Sequence, residues 1–218
     1  MRILFRYHIN QTSHKNKERR LFMNKEVKRY LIMIVGAMII GIGAAFIVGG
    51  NVGGDSMTTF EQGLMKTLNI SLPIAMILAN AIFVVLLLIF SRENISIDTI
   101  LCPLFISLGS NIAVRFVPSV DGMAIRIIFL LVGIVICALG IGVGAQTSTG
   151  SNPYDGFVLA FSKKINQSYS IVRPVFDVGM LVLGILLHGT FGIGTFIATF
   201  CIGPVANVFI KGLSKMIK

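Results

Sequence analysis

The chain contains two copies of one segment, and this repeat restricts its possible folds more than any other feature. Residues 36–71 align without a gap on residues 133–168, 97 positions further along, with eight identities in thirty-six columns. After one deleted residue the alignment continues at an offset of 96. Because the matched residues keep the same order, the pattern indicates an internal duplication. The identical pairs are Gly36/Gly133, Ile39/Ile136, Gly43/Gly140, Gly53/Gly150, Phe60/Phe157, Lys66/Lys163, Asn69/Asn166 and Ser71/Ser168, continued by Thr99/Thr195, Ile106/Ile202 and Asn111/Asn207.

Long apolar runs place the repeat in a membrane. The chain is 55% hydrophobic and only 13% charged, with a mean hydropathy of +0.86, whereas a soluble domain is about 25% charged. A β-barrel would need short segments of alternating polarity, but residues 82–90 are apolar on both faces. We therefore predict an all-α membrane protein with six transmembrane helices. The apolar runs lie near residues 30–48, 72–90, 97–114, 123–145, 171–190 and 193–210, each close to the roughly 17–25 residues that cross a bilayer.

The repeat and the spans together predict an inverted architecture. A copy with three spans begins and ends on opposite sides of the membrane, so the second copy must be inserted upside down, as in many secondary transporters. We expect a basic tail at 1–29, a first three-span repeat at 30–121, and a second at 122–218 that ends in a basic C-terminus. The two repeats are expected to form a single membrane domain.

The positive charge is concentrated at the N-terminus. The chain carries a net charge of +10, and nine of its nineteen Lys and Arg lie in residues 1–29. Beside an apolar span this pattern indicates a cytoplasmic tail in contact with anionic lipid, and not nucleic-acid binding. The remaining loop charges place both termini in the cytoplasm of a bacterium, with the protein in its plasma (inner) membrane. Met23 is an alternative start, which leaves open whether residues 1–22 belong to the mature protein.

Each copy has a connecting segment that predicts a short capped helix. In the second copy Asn152 suits a cap, Pro153 the first helical position, and Asp155 the first turn, where a carboxylate complements free amides. In the first copy Asp55 aligns with Asn152, and the residues equivalent to Pro153 and Asp155 are Ser56 and Thr58. Two interpretations remain open: amphipathic helices on the membrane surface, or half-helices that enter the bundle and present their amino ends to a substrate.

The second connecting segment resembles a known family. Residues 150–157, Gly-Ser-Asn-Pro-Tyr-Asp-Gly-Phe, resemble the Gly-x-x-Pro-aromatic-Asp element of the YitT/YczE-type bacterial membrane proteins, and residues 192–195 and 202–204 resemble elements near that family's end. The resemblance covers residues 28–212 and is weaker in the first copy, where Ser56, Met57 and Thr58 replace Pro, aromatic and Asp. It implies a multi-span inner-membrane protein whose biochemical activity is unassigned.

One acidic residue lies inside a predicted span. Asp177 aligns with Asn80 of the second span, and a charge within a membrane helix is a functional candidate because it costs about 2.5–3.5 kcal/mol to insert. Asp177 could carry a coupled proton, in which case Asp177→Asn should abolish transport. Alternatively, it forms a helix-surface pair with Arg173, four residues earlier.

Motifs for catalysis or metal binding are lacking. The Gly140-x-Gly142-x-Gly144 pattern lies in an apolar helix without a preceding strand, so it is not a dinucleotide loop. The histidines are scattered, and Cys102, Cys137 and Cys201 are too far apart for a metal site, so we expect buried small hydrophobes. We predict no enzyme activity, no cofactor and no metal.

These features favour a transporter or permease-like protein for a small solute, with a polar site between the inverted repeats. The alternative is a non-transporting accessory or regulatory protein that scaffolds a membrane partner; a homo-oligomer also fits. Single cysteines at Thr59 and Gly156 are expected to label from opposite faces. The predicted substrate-binding residues are Asp55, Ser56, Thr58, Asn80, Asn152, Tyr154, Asp155 and Asp177.

Overall fold

The fold is helical throughout the described ranges, as predicted. The computed structural model describes the backbone of residues 2–91, 97–118, 121–147, 152–167 and 169–216, and side chains from residue 26 onward except 147, 155, 169, 170 and 216. The α-helices are α1 (Arg2–Gly50), α2 (Ser56–Leu68), α3 (Leu72–Phe90), α4 (Ile97–Val114), α5 (Met123–Gly144), α6 (Pro153–Lys164), α7 (Tyr169–Leu186) and α8 (Ile193–Met216). A 3₁₀ turn, Ala145–Thr147, follows α5.

Five of these helices are long and apolar enough to cross a membrane. They cover five of the six predicted spans. The predicted fifth span is also helical, as α7, but the part of α7 with described side chains is too short to be counted with the others, so the sixth span stays a prediction. The five helices comprise Glu26–Gly50, Leu72–Phe90, Ile97–Val114, Met123–Gly144 and Ile193–Lys215.

The outer faces of these helices are apolar. Ile89 on α3 is 70% exposed and Phe200 on α8 is 74% exposed, and many large aliphatic side chains elsewhere on the spans also point outward. A soluble protein rarely exposes continuous apolar surface of this kind. Together with the five long apolar helices, this surface identifies an integral, multi-pass membrane protein.

Helices α1 and α5 cross in opposite directions on a contact made of small residues. Gly36 lies against Gly140, and Gly43 lies against Gly133 and Cys137. A Cβ atom at Gly43 would lie 2.5 Å from the backbone nitrogen of Cys137, so the crossing has no room for a larger residue. Close approach of this kind is a main source of attraction between helices in lipid.

This crossing is reciprocal with respect to the sequence repeat. Gly36 aligns with Gly133 and Gly43 with Gly140, so exchanging the two copies turns each glycine contact into the other. At the centre, the Cys137 thiol donates to the Ile40 carbonyl oxygen at 3.4 Å, and these two residues also align. Residues that are equivalent in the repeat therefore meet each other at this contact.

The other helix pairs also come in two sets that correspond under the sequence repeat. Helix α1 packs on α4 as α5 packs on α8, and α2 packs on α7 as α6 packs on α3. Each short helix therefore packs chiefly against a long helix from the other copy. The two copies interlock, and the middle of the bundle is built from both of them.

Candidate functional site

The short helix α2 begins beside the middle of α7. Ser56, its first residue, hydrogen-bonds Asp177 in mid-helix, whereas Thr67 near its end donates to the Leu187 carbonyl oxygen at 2.7 Å. The two helices thus run in the same direction over the second half of α7. The first nine residues of α2, Ser56–Leu64, are all buried. A helix lying on the membrane surface would keep one face exposed, so α2 matches the half-helix interpretation.

Helix α6 occupies the equivalent place beside α3. The Tyr154 ring packs edge-on against Phe83 at a centroid distance of 4.9 Å, and Phe157 packs against Phe90, the last residue of α3, at 5.7 Å. Lys164 then lies 4.8 Å from the Phe90 ring centroid. Helix α6 therefore starts at mid-length of α3 and runs toward its end, as α2 does along α7.

Both predicted caps stand where the short helices begin, but only one makes the expected bond. Asn152 Oδ1 accepts from the Tyr154 backbone N–H at 3.3 Å. Asp55 is the N-cap residue of α2, yet its carboxylate caps no backbone amide and accepts from the Thr58 hydroxyl instead. The prediction of Asp55 as the N-cap residue of α2 is confirmed, and its carboxylate is held by the Thr58 hydroxyl.

Asp177 joins the starts of the two short helices. Its Oδ1 accepts from the Ser56 hydroxyl at 2.8 Å and from the Tyr154 hydroxyl at 2.7 Å. The Arg173 guanidinium donates to both carboxylate oxygens through Nε, at 3.2 and 3.1 Å, and lies 4.6 Å from the Tyr154 ring centroid. The predicted pair with Arg173 is thus formed, and the same carboxylate also faces the protein interior.

A cavity of about 260 Å³ lies where the two helix starts meet the α1–α5 crossing. Its apolar wall includes Ile40 and Cys137, the aligned residues at the centre of that crossing. The polar part of its lining consists of Asp55, Thr58, Glu61, Asn80, Asn152, Tyr154 and Arg173. The cavity therefore combines apolar side chains of the α1–α5 crossing with polar groups from both copies.

Five of the eight predicted site residues line this cavity: Asp55, Thr58, Asn80, Asn152 and Tyr154. Ser56 and Asp177 lie next to it and hydrogen-bond each other. The side chain of Asp155 lies outside the described residues. The repeat and the caps therefore pointed to residues that meet in one place, and their role in binding a solute stays a prediction.

Asn80 presents an unused acceptor to the cavity. Its side chain is 1% exposed, and its Nδ2 donates to the Met76 carbonyl oxygen at 2.8 Å. Its Oδ1 has no hydrogen-bond partner within the described part of the chain. Leaving a buried acceptor unpaired costs about 1–3 kcal/mol, so this oxygen is suited to a donor supplied by a ligand.

The sequence prediction missed Glu61. This residue is 5% exposed, lines the cavity, and pairs with no side chain that the structure describes. It belongs to α2, which has 13 residues and is too short to span a membrane. Burial raises the pKa of Glu61 well above its ordinary value of 4.5, and the nearby Asp55 charge raises it further. Its signal in the sequence was a single carboxylate in a connecting segment for which a half-helix inside the bundle was one of the two interpretations left open.

The described residues offer no group of three His, Cys, Asp or Glu placed to hold a metal ion. Of the three cysteines, Cys102 and Cys137 are buried and Cys201 is partly buried, all as free thiols. The polar lining of the cavity consists of carboxyl, amide, hydroxyl and guanidinium groups.

Comparison with known proteins gives two uncharacterized relatives. The chain is similar to an uncharacterized protein of Haemophilus influenzae, 25% identical over 193 residues that cover 88% of this chain and 87% of the relative. It is also similar to the uncharacterized protein YyaS of Bacillus subtilis, 21% identical over 184 residues that cover 83% of this chain and 92% of the relative. No solved structure matches. The model of a family of unknown function, DUF6198, matches residues 27–211, so the chain belongs to the DUF6198 family.

Proposed function

We propose that this protein is a transporter or permease-like protein for a small solute, which it binds in the cavity between α2 and α6. The observation that carries the proposal is the cavity itself, since residues of both copies line it and the buried Asn80 Oδ1 in its wall has no partner among the described residues. Buried polar groups inside a membrane bundle are costly, and they mark substrate pathways more often than structural sites.

The α1–α5 crossing supports an inverted repeat of two times three spans, with α7 as the sixth span. Two helices that run in opposite directions and exchange under a two-fold rotation have their axis perpendicular to their length. For helices that cross a bilayer, that axis lies in the membrane plane, which is the symmetry of inverted-repeat transporters. In those proteins substrates bind where the repeats meet, near the ends of broken helices.

The lysines support a bacterial plasma-membrane orientation with both termini in the cytoplasm. Lys66 lies at the end of α2 and donates to Thr190, in the turn between α7 and α8. Lys163 and Lys164 lie at the end of α6, near the end of α3. The positive-inside rule assigns the end of α6, with its two lysines, and the basic N-terminus to the cytoplasm. The Gly-x-x-Pro-aromatic-Asp element further supports kinship with the YitT/YczE-type proteins.

The alternative function, an accessory protein that holds a membrane partner, rests on a different feature. An open apolar groove of about 410 Å³ runs between α3 and α7, with Phe83, Phe157 and Phe176 among its walls. Such a groove fits a lipid chain or a partner helix. Because the described residues that line this groove are apolar, it specifies a ligand less well than the cavity with its polar lining does.

Thermal stabilisation of the purified protein by small solutes tests the proposal. A solute at 100 times its Kd stabilises a protein by about 2.7 kcal/mol. We expect at least one solute to raise the melting temperature of the wild type and of Asn111→Ala, a matched control at an exposed position, but not that of Asn80→Ala. The same solute should be taken up by proteoliposomes. A stabilising solute that is not transported would favour the accessory function.

A further inference from the structure

The cavity has more negative than positive groups. Three carboxyl groups, those of Asp55, Glu61 and Asp177, lie in or next to it, and Arg173 is the cation among its described lining residues. Arg173 is already engaged by both oxygens of Asp177. Asp55 and Glu61 are therefore left without a full counter-charge, and a bound ligand can supply one.

The polar groups without partners are acceptors. Asn80 is 99% buried, and its Oδ1 lacks a donor within the described structure. Glu61 is 95% buried and equally lacks one. Asp55 also lines the cavity and accepts from the Thr58 hydroxyl. A ligand that satisfies these three residues must carry several N–H donors, as an ammonium group does with three.

The rest of the lining fits an apolar body. The large aliphatic side chains of the remaining wall are Met33, Ile40, Met57, Ile106, Ile141 and Ile202. The volume of about 260 Å³ is below the roughly 300–1,000 Å³ of pockets for drug-sized ligands. The matching ligand is therefore small and amphipathic, with an apolar chain or ring and a cationic end.

Resting on the proposed function, we propose that the cavity binds a small organic ammonium ion in exchange for the proton of Glu61. An unpaired carboxylate buried in protein is costly, so Glu61 holds a proton when the cavity is empty. When the ammonium binds, the O–H bond of Glu61 breaks and the proton leaves to water. The carboxylate then pairs with the ammonium, so that one positive charge replaces another. The protein is an organic cation/proton exchanger.

The groups around Glu61 favour this exchange. Asp55 lies on its own segment, α7 contributes Arg173 and Asp177, and α6 contributes Tyr154. Helices α4 and α5 contribute the thiols of Cys102 and Cys137, which are neutral because burial disfavours a thiolate. The cavity-lining residues of α1, α3 and α8 are not titratable. Since the cation Arg173 is held by Asp177, Glu61 and Asp55 are the groups whose charge a ligand changes.

Binding of hexylammonium to the purified full-length protein in weakly buffered detergent solution tests the proposal. We expect hexylammonium to raise the melting temperature more than hexanoate or hexanol at equal concentration. A pH-indicator dye should report up to one proton released per ligand bound. Glu61→Gln should lose the proton release and bind at least tenfold more weakly. The matched control, Glu26→Gln, lies outside the cavity and should retain both.

A measurement on the wild type alone guards against misfolding of the variant. If one proton leaves for each hexylammonium bound, the Kd of hexylammonium falls about tenfold for each unit by which the pH is raised, as long as Glu61 is protonated in the empty protein. Stronger stabilisation by hexanoate, a Kd independent of pH, or equal proton release from Glu61→Gln would each overturn the proposal. Binding with proton release but without uptake by proteoliposomes would overturn transport and leave this site intact. Uptake of another solute without binding of hexylammonium would overturn the ammonium site and leave the transport function intact.

Discussion

Ser56, the first residue of α2, donates a hydrogen bond of 2.8 Å to Oδ1 of Asp177 on α7. The same oxygen accepts from Tyr154 at the start of α6, at 2.7 Å. One carboxylate thus holds the beginnings of two short helices that come from different copies of the repeat. Because both helix starts border the cavity, the position of Asp177 sets the shape of the proposed binding site.

Replacing Asp177 by Asn should destabilise this junction. The amide cannot offset the charge of Arg173, and hydrogen bonds to a charged group contribute about 1.5–3 kcal/mol each. Since the Asp177 side chain is 26% exposed, we expect a loss at the low end, about 1–2 kcal/mol. Thermal unfolding in detergent measures it. Asp121→Asn, the same substitution in an exposed loop, should change stability by less than about 0.5 kcal/mol.

A double-mutant cycle separates the energy of the Tyr154–Asp177 hydrogen bond from a general loss of packing. Tyr154→Phe removes one donor and keeps the ring, so its effect should be smaller in the Asp177→Asn background than in the wild type. Directly bonded residues show interaction energies of about 0.5–3 kcal/mol. Strictly additive effects would contradict a shared junction.

The close contact between α1 and α5 gives a second prediction. At Gly43 a methyl group would lie 2.5 Å from backbone nitrogen and 2.6 Å from the sulfur of Cys137, so Gly43→Ala should cost about 1–3 kcal/mol through overpacking. At Gly203 on α8 an added Cβ meets no described atom within 4 Å. Gly203→Ala should therefore be neutral or stabilise by up to about 1 kcal/mol. Equal melting temperatures for the two variants would contradict the close crossing.

Part of this architecture was predictable from the sequence. The apolar runs predicted the five long helices, whereas the aligned glycines, such as Gly43 and Gly140, indicated a duplication and not that α1 and α5 pack on each other. The cap at Asn152 could be assigned because Asn followed by Pro matches a local geometry that needs no tertiary contact. Both features are encoded over a few neighbouring residues.

The details of the polar site were less predictable because they depend on contacts between distant segments. Ser56 and Asp177, 121 residues apart, meet only because α2 folds back along α7. Glu61 has no local motif at all, and its importance follows from burial without a partner.

The inverted arrangement can be tested by labelling at Lys66 and Lys163. The positions predicted from sequence need revision, because Thr59 is fully buried and a reagent cannot reach a cysteine there. Lys66 and Lys163 are aligned in the repeat, and both are exposed at the ends of α2 and α6. With the native cysteines replaced by alanine, a membrane-impermeant maleimide should label Lys66→Cys in intact cells. It should label Lys163→Cys only after the membrane is opened; labelling of both in intact cells would contradict inversion.

The pH dependence of stability should report on Glu61 directly. Because the folded-state pKa of Glu61 is raised above the ordinary value of 4.5, the folded protein keeps this proton to higher pH than the unfolded chain does. Stability should therefore fall as pH rises from 4.5 to the folded-state pKa, by at most about 1.4 kcal/mol per pH unit. Glu61→Gln cannot ionise and should show a shallower slope, leaving only the smaller contribution of Asp55, whose pKa burial also raises. It should also be more stable than the wild type above that range. Glu26→Gln should keep the wild-type slope. Identical slopes for Glu61→Gln and the wild type would contradict the prediction, because they would show that Glu61 ionises as freely in the folded protein as in water.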